Sequence, residues 1–452
     1  MSKAPPNPQA VNRHWSSSIG FIIATIGAAV GLGNIWMFPY FTGMNGGGAF
    51  VLIYLVCVFA IGVPIMMAEA LIGQKGQQNP INSLQTLAKA AKASPLWGLL
   101  GVWATSALII ILSFYSVVSG WSLAYLYRTA QNVFTHSDAA TVTHIWTQLL
   151  ANPWELLLWH TTFIVMTMSV IALGIQQGLE RASKFMMPAF VLILLGLVVY
   201  AIINAEFMQA VRFLFYPDFT HITPKVVLSA LGIAFFSLAL GAGCICAYAS
   251  YVPKTERITP KLLIVASFDT LLALLAGLAI FPLVFAYGLS PAEGPGLMFE
   301  VLPTAFAQMA AGQFIGGLFF TLLLFAAWTS SISLAEPLVA ILNERFRLSR
   351  LTAVCCVGLI AWVFGIAVLL SFNAWNEVKL LGYTFFDIAT QLPTKIIIPI
   401  GGLGFAIFAG WIMTEETVRK ALQLPKPVFK IWYVIIRYVC PIAILAIFIS
   451  QL

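Results

Sequence analysis

Two glycine-rich interruptions lie inside long apolar segments of the sequence, where few groups other than backbone could bind a ligand. The first, residues 27–34, carries three glycines and the uncharged amide of Asn34; the second holds Gly241 and Gly243. A break in a helix at membrane depth is tolerated where the backbone lines a cavity or binds a ligand. The free N–H groups at such a break attract anions, and its free carbonyls attract cations. Glycines that only allow close helix packing are the alternative, but packing does not account for Asn34.

Other apolar segments carry further polar groups. Asp269 is ionisable, which is costly in a membrane and usually functional, unless the residue lies at a helix end near water. The hydroxyls of residues 329–331 and Tyr115 have ordinary alternatives: bonding the backbone four residues back, and packing. Oxygen groups with one carboxylate suit a hard, singly charged cation, and the scattered histidines form no transition-metal pattern. Glu69 and Glu336 are expected in internal networks on the cytoplasmic side.

The composition excludes a soluble domain. Of 452 residues, 60% are hydrophobic and 9% charged, and the mean hydropathy is +0.94. These values predict an all-α polytopic membrane protein, with residues 1–452 forming one transmembrane domain embedded in the lipid bilayer. There is no phosphate-binding glycine loop with a lysine, so we expect no ATP motor, and uphill transport would need an ion gradient. We expect a transporter rather than an enzyme. No organic cofactor and no nucleic-acid partner are expected, and the six cysteines resemble core residues rather than a disulfide framework.

Eleven segments are long enough to cross a bilayer, which takes about twenty residues. These predicted spans lie near residues 16–40, 48–73, 97–127, 154–174, 183–204, 225–252, 260–288, 313–343, 351–372, 379–413 and 428–450. Most lysines and arginines fall in alternate connections, although Lys395 and Arg437 lie within spans. This bias predicts a cytoplasmic N-terminus and an outside C-terminus. Because residues 1–14 are polar and the first apolar segment is long, no cleavable signal peptide is expected. The outside connection 289–312 is expected to form a short hairpin.

The two interruptions lie in spans 1 and 6, five helices apart. Odd spacing inverts the second copy relative to the first, so the pattern predicts two inverted halves. These halves are residues 15–204 and 225–413, with 428–450 as an additional helix. Paired interruptions in such repeats point to a substrate site near the bilayer midplane.

Four motifs together resemble the neurotransmitter:sodium symporter family, and the similarity covers essentially the whole chain. They are GAAVGLGNIWMFPY at residues 27–40, NGGGAF at 45–50, FFSLALGAG at 235–243 and TSSIS at 329–333. Because the chain stops after span 11, it is most similar to the bacterial eleven-helix amino-acid transporters. The resemblance implies a LeuT-like 5+5 inverted repeat with discontinuous helices 1 and 6. It also implies symport of an amino acid with Na⁺ by alternating access, in the plasma membrane of a bacterium.

The resemblance also implies which residues bind the substrate and two sodium ions. The first ion would be held by the Ala29 carbonyl, the side chains of Asn34, Ser237 and Asp269, and the substrate carboxylate. The second would be held by the carbonyls of Gly27, Val30 and Ala326 and the hydroxyls of Thr329 and Ser330. The substrate carboxylate would meet Tyr115 and the N–H groups of Leu32 and Gly33, and its ammonium the carbonyls of Ala29, Phe236 and Ser237. The side-chain pocket would comprise Ile111, Val118, Phe236, Ala239, Ala242, Ser330 and Leu334.

The polar outer gate of the family is absent from this sequence. Met37 replaces an arginine, while Thr390 and Ile233 fall where its partners would be. A concerted loss avoids an unpaired buried charge, so we expect an apolar outer gate of Met37 and Phe236, with a residual polar role for Asp387.

On the cytoplasmic side, Arg13, Trp15 and Glu344 resemble an inner gate that holds the N-terminal segment. A solvated surface pair of little energetic consequence is the alternative. Gly178 and Pro188 match a pattern linked in this family to unwinding of span 5.

Substrate and coupling ion follow from two further features. Small residues at Ala239 and Ala242 favour a bulky hydrophobic or aromatic amino acid. Asp269 supplies the negative charge that chloride brings in animal members, which predicts chloride independence. Three alternatives stay open: proton coupling with Asp269 as carrier, a non-transporting amino-acid sensor, and a channel, although a channel would need more intramembrane charge.

Overall fold

The computed structural model describes residues 14–289, 296–309 and 311–450. Within them the chain is helical apart from turns and one isolated bridge between Leu380 and Tyr383. Nine unbroken helices of the described part are long and apolar enough to span a membrane. They are Gly48–Gly76, Pro95–Ala130, Pro153–Ala172, Ile175–Asn204, Thr259–Ala286, Gly312–Phe346, Arg350–Leu370, Phe385–Ile412 and Lys426–Ala446, which we call spans 2, 3, 4, 5, 7, 8, 9, 10 and 11.

Two helices begin away from their predicted positions. Span 5 begins at Ile175 rather than near 183. Gly174 has a positive φ of 92°, so the chain turns there and the next residue is already helical. Span 10 begins at Phe385 rather than near 379, because Thr384 and Asp387 form a capping box there. The rule that Ser/Thr with an acidic residue three positions later marks a helix start applies to this second case.

Span 1 is broken, as the glycine pattern predicts. Its halves, Ser18–Ala29 and Gly33–Met44, meet at an angle of 49°. Val30 adopts an extended conformation (φ −73°, ψ 105°), which ends the first half. The Gly31 N–H donates to the Asn34 side-chain oxygen at 3.1 Å, so the polar amide satisfies backbone that the break releases.

Span 6 consists of two helices, Pro224–Ser237 and Cys244–Ser250, rather than one. The connection is possible because Gly241 and Gly243 have positive φ (75° and 79°), which glycine adopts without a steric penalty. Glu69 of span 2 accepts hydrogen bonds from the Gly241 N–H at 2.9 Å and the Cys246 N–H at 3.3 Å. The internal network expected for Glu69 is therefore formed with the broken backbone itself.

Close packing accounts for other glycines around this break. A Cβ at Gly73 would lie 1.9 Å from the Cys246 carbonyl oxygen, and one at Gly401 would lie 1.9 Å from that of Gly241. Spans 2 and 10 therefore press their backbones directly against span 6, as small residues allow in membranes.

Shorter helices join the spans on both sides. They include Pro80–Ala90, Ala139–Ala151, Phe207–Phe215 and Glu415–Leu422. In the connection expected to form a hairpin, residues 297–308 are helical, while 290–295 and 310 lie outside the described residues. The second predicted internal network is also present, since Glu336 pairs with Arg350 at 2.6 Å.

Candidate substrate and ion site

A cavity of about 40 Å³ lies between the two broken helices. It is lined by Ala28, Ala29, Gly31, Gly33, Ile111, Tyr115, Phe236, Ala239, Ala242, Cys244, Ser330, Leu334 and Ile398. Most of the predicted pocket residues are in this set. Val118, one turn beyond Tyr115 along span 3, is buried but does not line the cavity. Cys244 and Ile398 were missed, since nothing in an apolar run distinguishes a lining residue from a packed one.

One end of the cavity is suited to an anion. The Leu32 N–H donates to the Tyr115 hydroxyl oxygen at 2.8 Å, so two of the three groups that were predicted to meet a carboxylate lie side by side. The second half of span 1 starts at Gly33, and the N-terminus of a helix carries free N–H groups and positive dipole. Tyr115 keeps its own O–H for donation to a bound carboxylate.

The predicted first ion site gathers around Asp269, whose side chain is fully buried. Its Oδ1 accepts from Asn34 Nδ2 at 2.8 Å, and its Oδ2 accepts from the Ser237 hydroxyl at 2.6 Å. Tyr54 of span 2 also donates to Ser237 at 3.3 Å. Three of the four predicted protein ligands thus meet, and Ala29 lines the adjoining cavity. Tyr54 was missed because a tyrosine in an apolar span is usually a packing residue.

The predicted second ion site lies where the first half of span 1 ends. The Ser330 hydroxyl is 3.2 Å from the Val30 carbonyl oxygen and 3.3 Å from that of Gly27. The Thr329 hydroxyl is 3.1 Å from the Ala326 carbonyl oxygen, and a Cβ on Gly27 would lie 3.3 Å from Thr329 Cβ. Thr329 also bonds the backbone four residues back, at Phe325, but Ser330 reaches across to span 1.

Together these groups can bind a hard, singly charged cation beside a zwitterion. The ligands are oxygens from carbonyls, hydroxyls, an amide and one carboxylate, which is the donor set that such a cation prefers. Carbonyls at a helix C-terminus carry negative dipole, which favours the cation further. Asn34 and Ser330 each connect an ion site to the cavity, because Asn34 bonds Gly31 and Ser330 lines the wall.

The positions predicted to form the outer gate are apolar at Met37 and Phe236. The Phe236 ring packs over Gly33, where a Cβ would lie 3.2 Å from Phe236 Cδ1, and Met37 packs partly buried against the core. Asp387 accepts from the backbone N–H and hydroxyl of Thr384 at 3.0 and 2.7 Å. The side chain of Asp387 therefore starts span 10, which is a local structural role.

At the predicted inner gate, Trp15 holds the beginning of span 1 in place. Trp15 donates through Nε1 to the Tyr248 carbonyl at 3.0 Å and packs its ring against Tyr248. Glu344 accepts from the backbone and side chain of Asn79 at 2.8 and 2.7 Å. Arg13, the third predicted gate residue, lies outside the described residues.

Two carboxylates that the sequence did not single out also hold this segment. Glu180 accepts from the Ser16 N–H at 2.9 Å and pairs with Lys184 at 2.7 Å. Glu256 accepts from the Ser18 hydroxyl at 2.8 Å. Both glutamates fall between the predicted spans, where a charge is common and gives no signal, although Glu180 lies in the first part of span 5 in the structure.

Comparison with known proteins connects this geometry to a family. The model of the sodium:neurotransmitter symporter family matches residues 12–150 and 142–452. A sodium-dependent transporter of Bacillus subtilis, YhdH, is 37% identical, with 96% of this chain and 97% of that protein covered. A sodium-dependent transporter of Haemophilus influenzae is 33% identical, over 97% and 98%.

A solved structure shares the architecture. It is that of MhsT in complex with L-phenylalanine, at 38% identity and a TM-score of 0.89, covering 97% of this chain and 99% of that one. The LeuT-like fold with discontinuous helices 1 and 6 is thereby confirmed, and a role as an enzyme is excluded. This protein is a multi-pass, sodium-dependent membrane transporter that belongs to the sodium:neurotransmitter symporter family.

Proposed function

We propose that the protein carries a hydrophobic amino acid, aromatic ones included, into the bacterial cell together with Na⁺. The observation that carries this proposal is the meeting of an anion site and a cation site at one break. Leu32 and Tyr115 provide the first, and Asp269 with Asn34 provides the second. An amino acid has the carboxylate and ammonium that such a pair of sites can recognise.

Coupling follows from contact between the ligands. A sodium ion held by Asn34, Ser237 and Asp269 would touch the substrate carboxylate, so each ligand would lower the desolvation cost of the other. A second ion between Gly27, Val30, Ala326, Thr329 and Ser330 would bridge spans 1 and 8. Binding there would favour the conformation in which these two spans are close.

Three features support a bulky apolar substrate. Ala239 and Ala242 leave space in the wall, the neighbour MhsT binds L-phenylalanine, and the other lining side chains are mostly apolar. A cavity of about 40 Å³ has room for about one water. A phenyl ring therefore requires movement of the cavity walls.

Alternating access would expose this site first outside and then inside. We propose the orientation that the basic residues predict, with the N-terminus in the cytoplasm. Met37 and Phe236 would close the outer path, and Trp15, Arg13 and Glu344 the inner one.

Uptake into proteoliposomes tests the function and its coupling ion. We expect accumulation of labelled phenylalanine when an inward sodium gradient is imposed, and competition by other bulky apolar amino acids but not by glycine. Accumulation driven by a proton gradient without sodium would favour the proton-coupled alternative. Sodium-dependent binding without any uptake would favour a sensor.

Transport should not require chloride. Asp269 is fully buried and lies between Asn34 and Ser237, so it provides a fixed negative charge beside the proposed ion. Replacing chloride by gluconate on both sides of the vesicles is expected to change the initial uptake rate by less than about twofold. A collapse of uptake in gluconate, with sodium unchanged, would show that chloride is part of the site.

Truncating Trp15 should loosen the inner end of span 1. Trp15→Ala removes the hydrogen bond to Tyr248 and a large buried ring, a loss of about 3–5 kcal/mol for the closed arrangement. We expect backbone hydrogen exchange in residues 18–29 to become about tenfold faster or more.

The matched control is Trp97→Ala, a tryptophan at the start of span 3 that packs against Phe408 instead. It should leave exchange in residues 18–29 unchanged. Equal acceleration by both variants would mean that Trp15 contributes only general stability.

A further inference from the structure

Span 11 carries an arginine without an acidic partner among the described residues. Arg437 lies within Lys426–Ala446, and the structure shows no ion pair for its guanidinium. Its Nε is buried and has no hydrogen-bond partner. Charged groups in membrane spans are rare and almost always paired, so an unpaired arginine here indicates that it binds a ligand.

Aromatic rings surround the guanidinium on the surface between spans 10 and 11. Its central carbon lies 4.1 Å from the ring centroid of Trp411, 5.6 Å from that of Tyr433 and 5.9 Å from that of Tyr438. Trp411 also donates through Nε1 to the Arg437 carbonyl at 3.1 Å, which fixes the ring in place. Cation–π contacts stabilise the charge, but they leave the fork of N–H donors free to bind a planar or tetrahedral oxyanion.

The site lies close to one membrane interface. Trp411 is the second-last residue of span 10, and it is 50% exposed, as Tyr438 is at 49%. Exposed Trp and Tyr are typical of the headgroup level. Lys430, seven residues before Arg437, lies about 10 Å away along the same helix face, and the arginine side chain leans back toward it. The orientation proposed above makes this the cytoplasmic leaflet.

We propose that Arg437 and the rings of Trp411, Tyr433 and Tyr438 bind the phosphate of an anionic phospholipid from this leaflet. The guanidinium donates to phosphate oxygens, the exposed rings contact the glycerol and upper acyl region, and Lys430 adds positive charge at the headgroup. Basic pockets between spans at this level bind the headgroups of anionic lipids. Glu415 and Glu416 begin the preceding helix, where Glu416 pairs with Lys420, and the structure shows no ion pair between either glutamate and Arg437.

Lipid binding to the purified full-length protein tests this assignment. Native mass spectrometry with phosphatidylglycerol or phosphatidylcholine should show preferential retention of phosphatidylglycerol. Arg437→Gln should weaken phosphatidylglycerol binding about fivefold or more. Arg437→Lys keeps the charge without the fork and should give a smaller loss, which also covers the case in which the glutamine variant does not fold.

The control is Arg419→Gln, which removes an exposed arginine of Glu415–Leu422 outside the groove and should change binding by less than about twofold. Equal binding of both lipids, or unchanged phosphatidylglycerol binding in the Arg437 variants, would overturn the proposal. So would a dimer that dissociates on Arg437→Gln with lipid binding unaltered, because the occupant would then be a second copy of this chain.

Discussion

Replacing Asp269 by asparagine is expected to abolish sodium-dependent amino-acid binding without destabilising the fold. The carboxylate is fully buried, and its protein partners, Asn34 and Ser237, are neutral. A buried charge with only neutral partners is unfavourable in the protein without sodium, whereas with sodium it supplies the main attraction. We expect the amino-acid affinity at saturating sodium for the native protein to fall about 100-fold or more, with an unchanged or higher melting temperature without sodium.

Thr270→Val is the matched control for this variant. Thr270 is the next residue along span 7, and its hydroxyl is buried without a partner, so losing it should leave sodium-dependent binding intact. An Asp269→Asn protein that still binds its substrate in a sodium-dependent way would place the ion elsewhere. A variant that unfolds would instead make Asp269 a structural residue.

A single added methyl group at Gly31 should close the substrate site. In Gly31→Ala the new Cβ would lie 2.4 Å from Ser330 Oγ and 2.5 Å from the Tyr115 hydroxyl, both of which line the cavity. These side chains must move away, and Tyr115 then loses its place beside the Leu32 N–H. We expect amino-acid affinity to fall about 100-fold or more and uptake to be lost, as measured by equilibrium binding and proteoliposome flux.

Gly232→Ala provides the comparison, because a Cβ there meets no atom within 4 Å. It lies in the first half of span 6 and should leave transport unchanged while raising stability slightly. Near-normal binding by Gly31→Ala would mean that the substrate does not use this cavity.

The site residues that could be predicted from the sequence are those whose types are unfavourable in an ordinary membrane helix. Glycines beside Asn34 are costly in an ordinary span, and so is Asp269; each therefore indicates a local function through its residue type and position alone. The clustered hydroxyls at 329–331 gave a weaker signal, because bonding back to the helix explains them equally well. The structure shows both behaviours, since Thr329 bonds Phe325 and Ser330 reaches span 1.

Other site residues could not be predicted from the sequence, because their residue types are common in the kind of segment in which they lie. Tyr54 and Cys244 lie in apolar runs, and only the packing of spans 2 and 6 reveals that one bonds Ser237 and the other lines the cavity. Glu180 and Glu256 fall between the predicted spans, where a carboxylate is ordinary, and only the structure shows that they accept hydrogen bonds from Ser16 and Ser18. Asp387 was expected near the gate, but its local bond with Thr384 occupies it in capping a helix.

The central claim is that substrate and sodium meet at the broken backbone of spans 1 and 6, and equilibrium binding to the purified protein tests it most directly. We predict that sodium raises the affinity for labelled phenylalanine, relative to potassium at equal ionic strength. By linkage, phenylalanine should raise the affinity for sodium by the same factor. Identical phenylalanine affinity in sodium and in potassium would contradict the account.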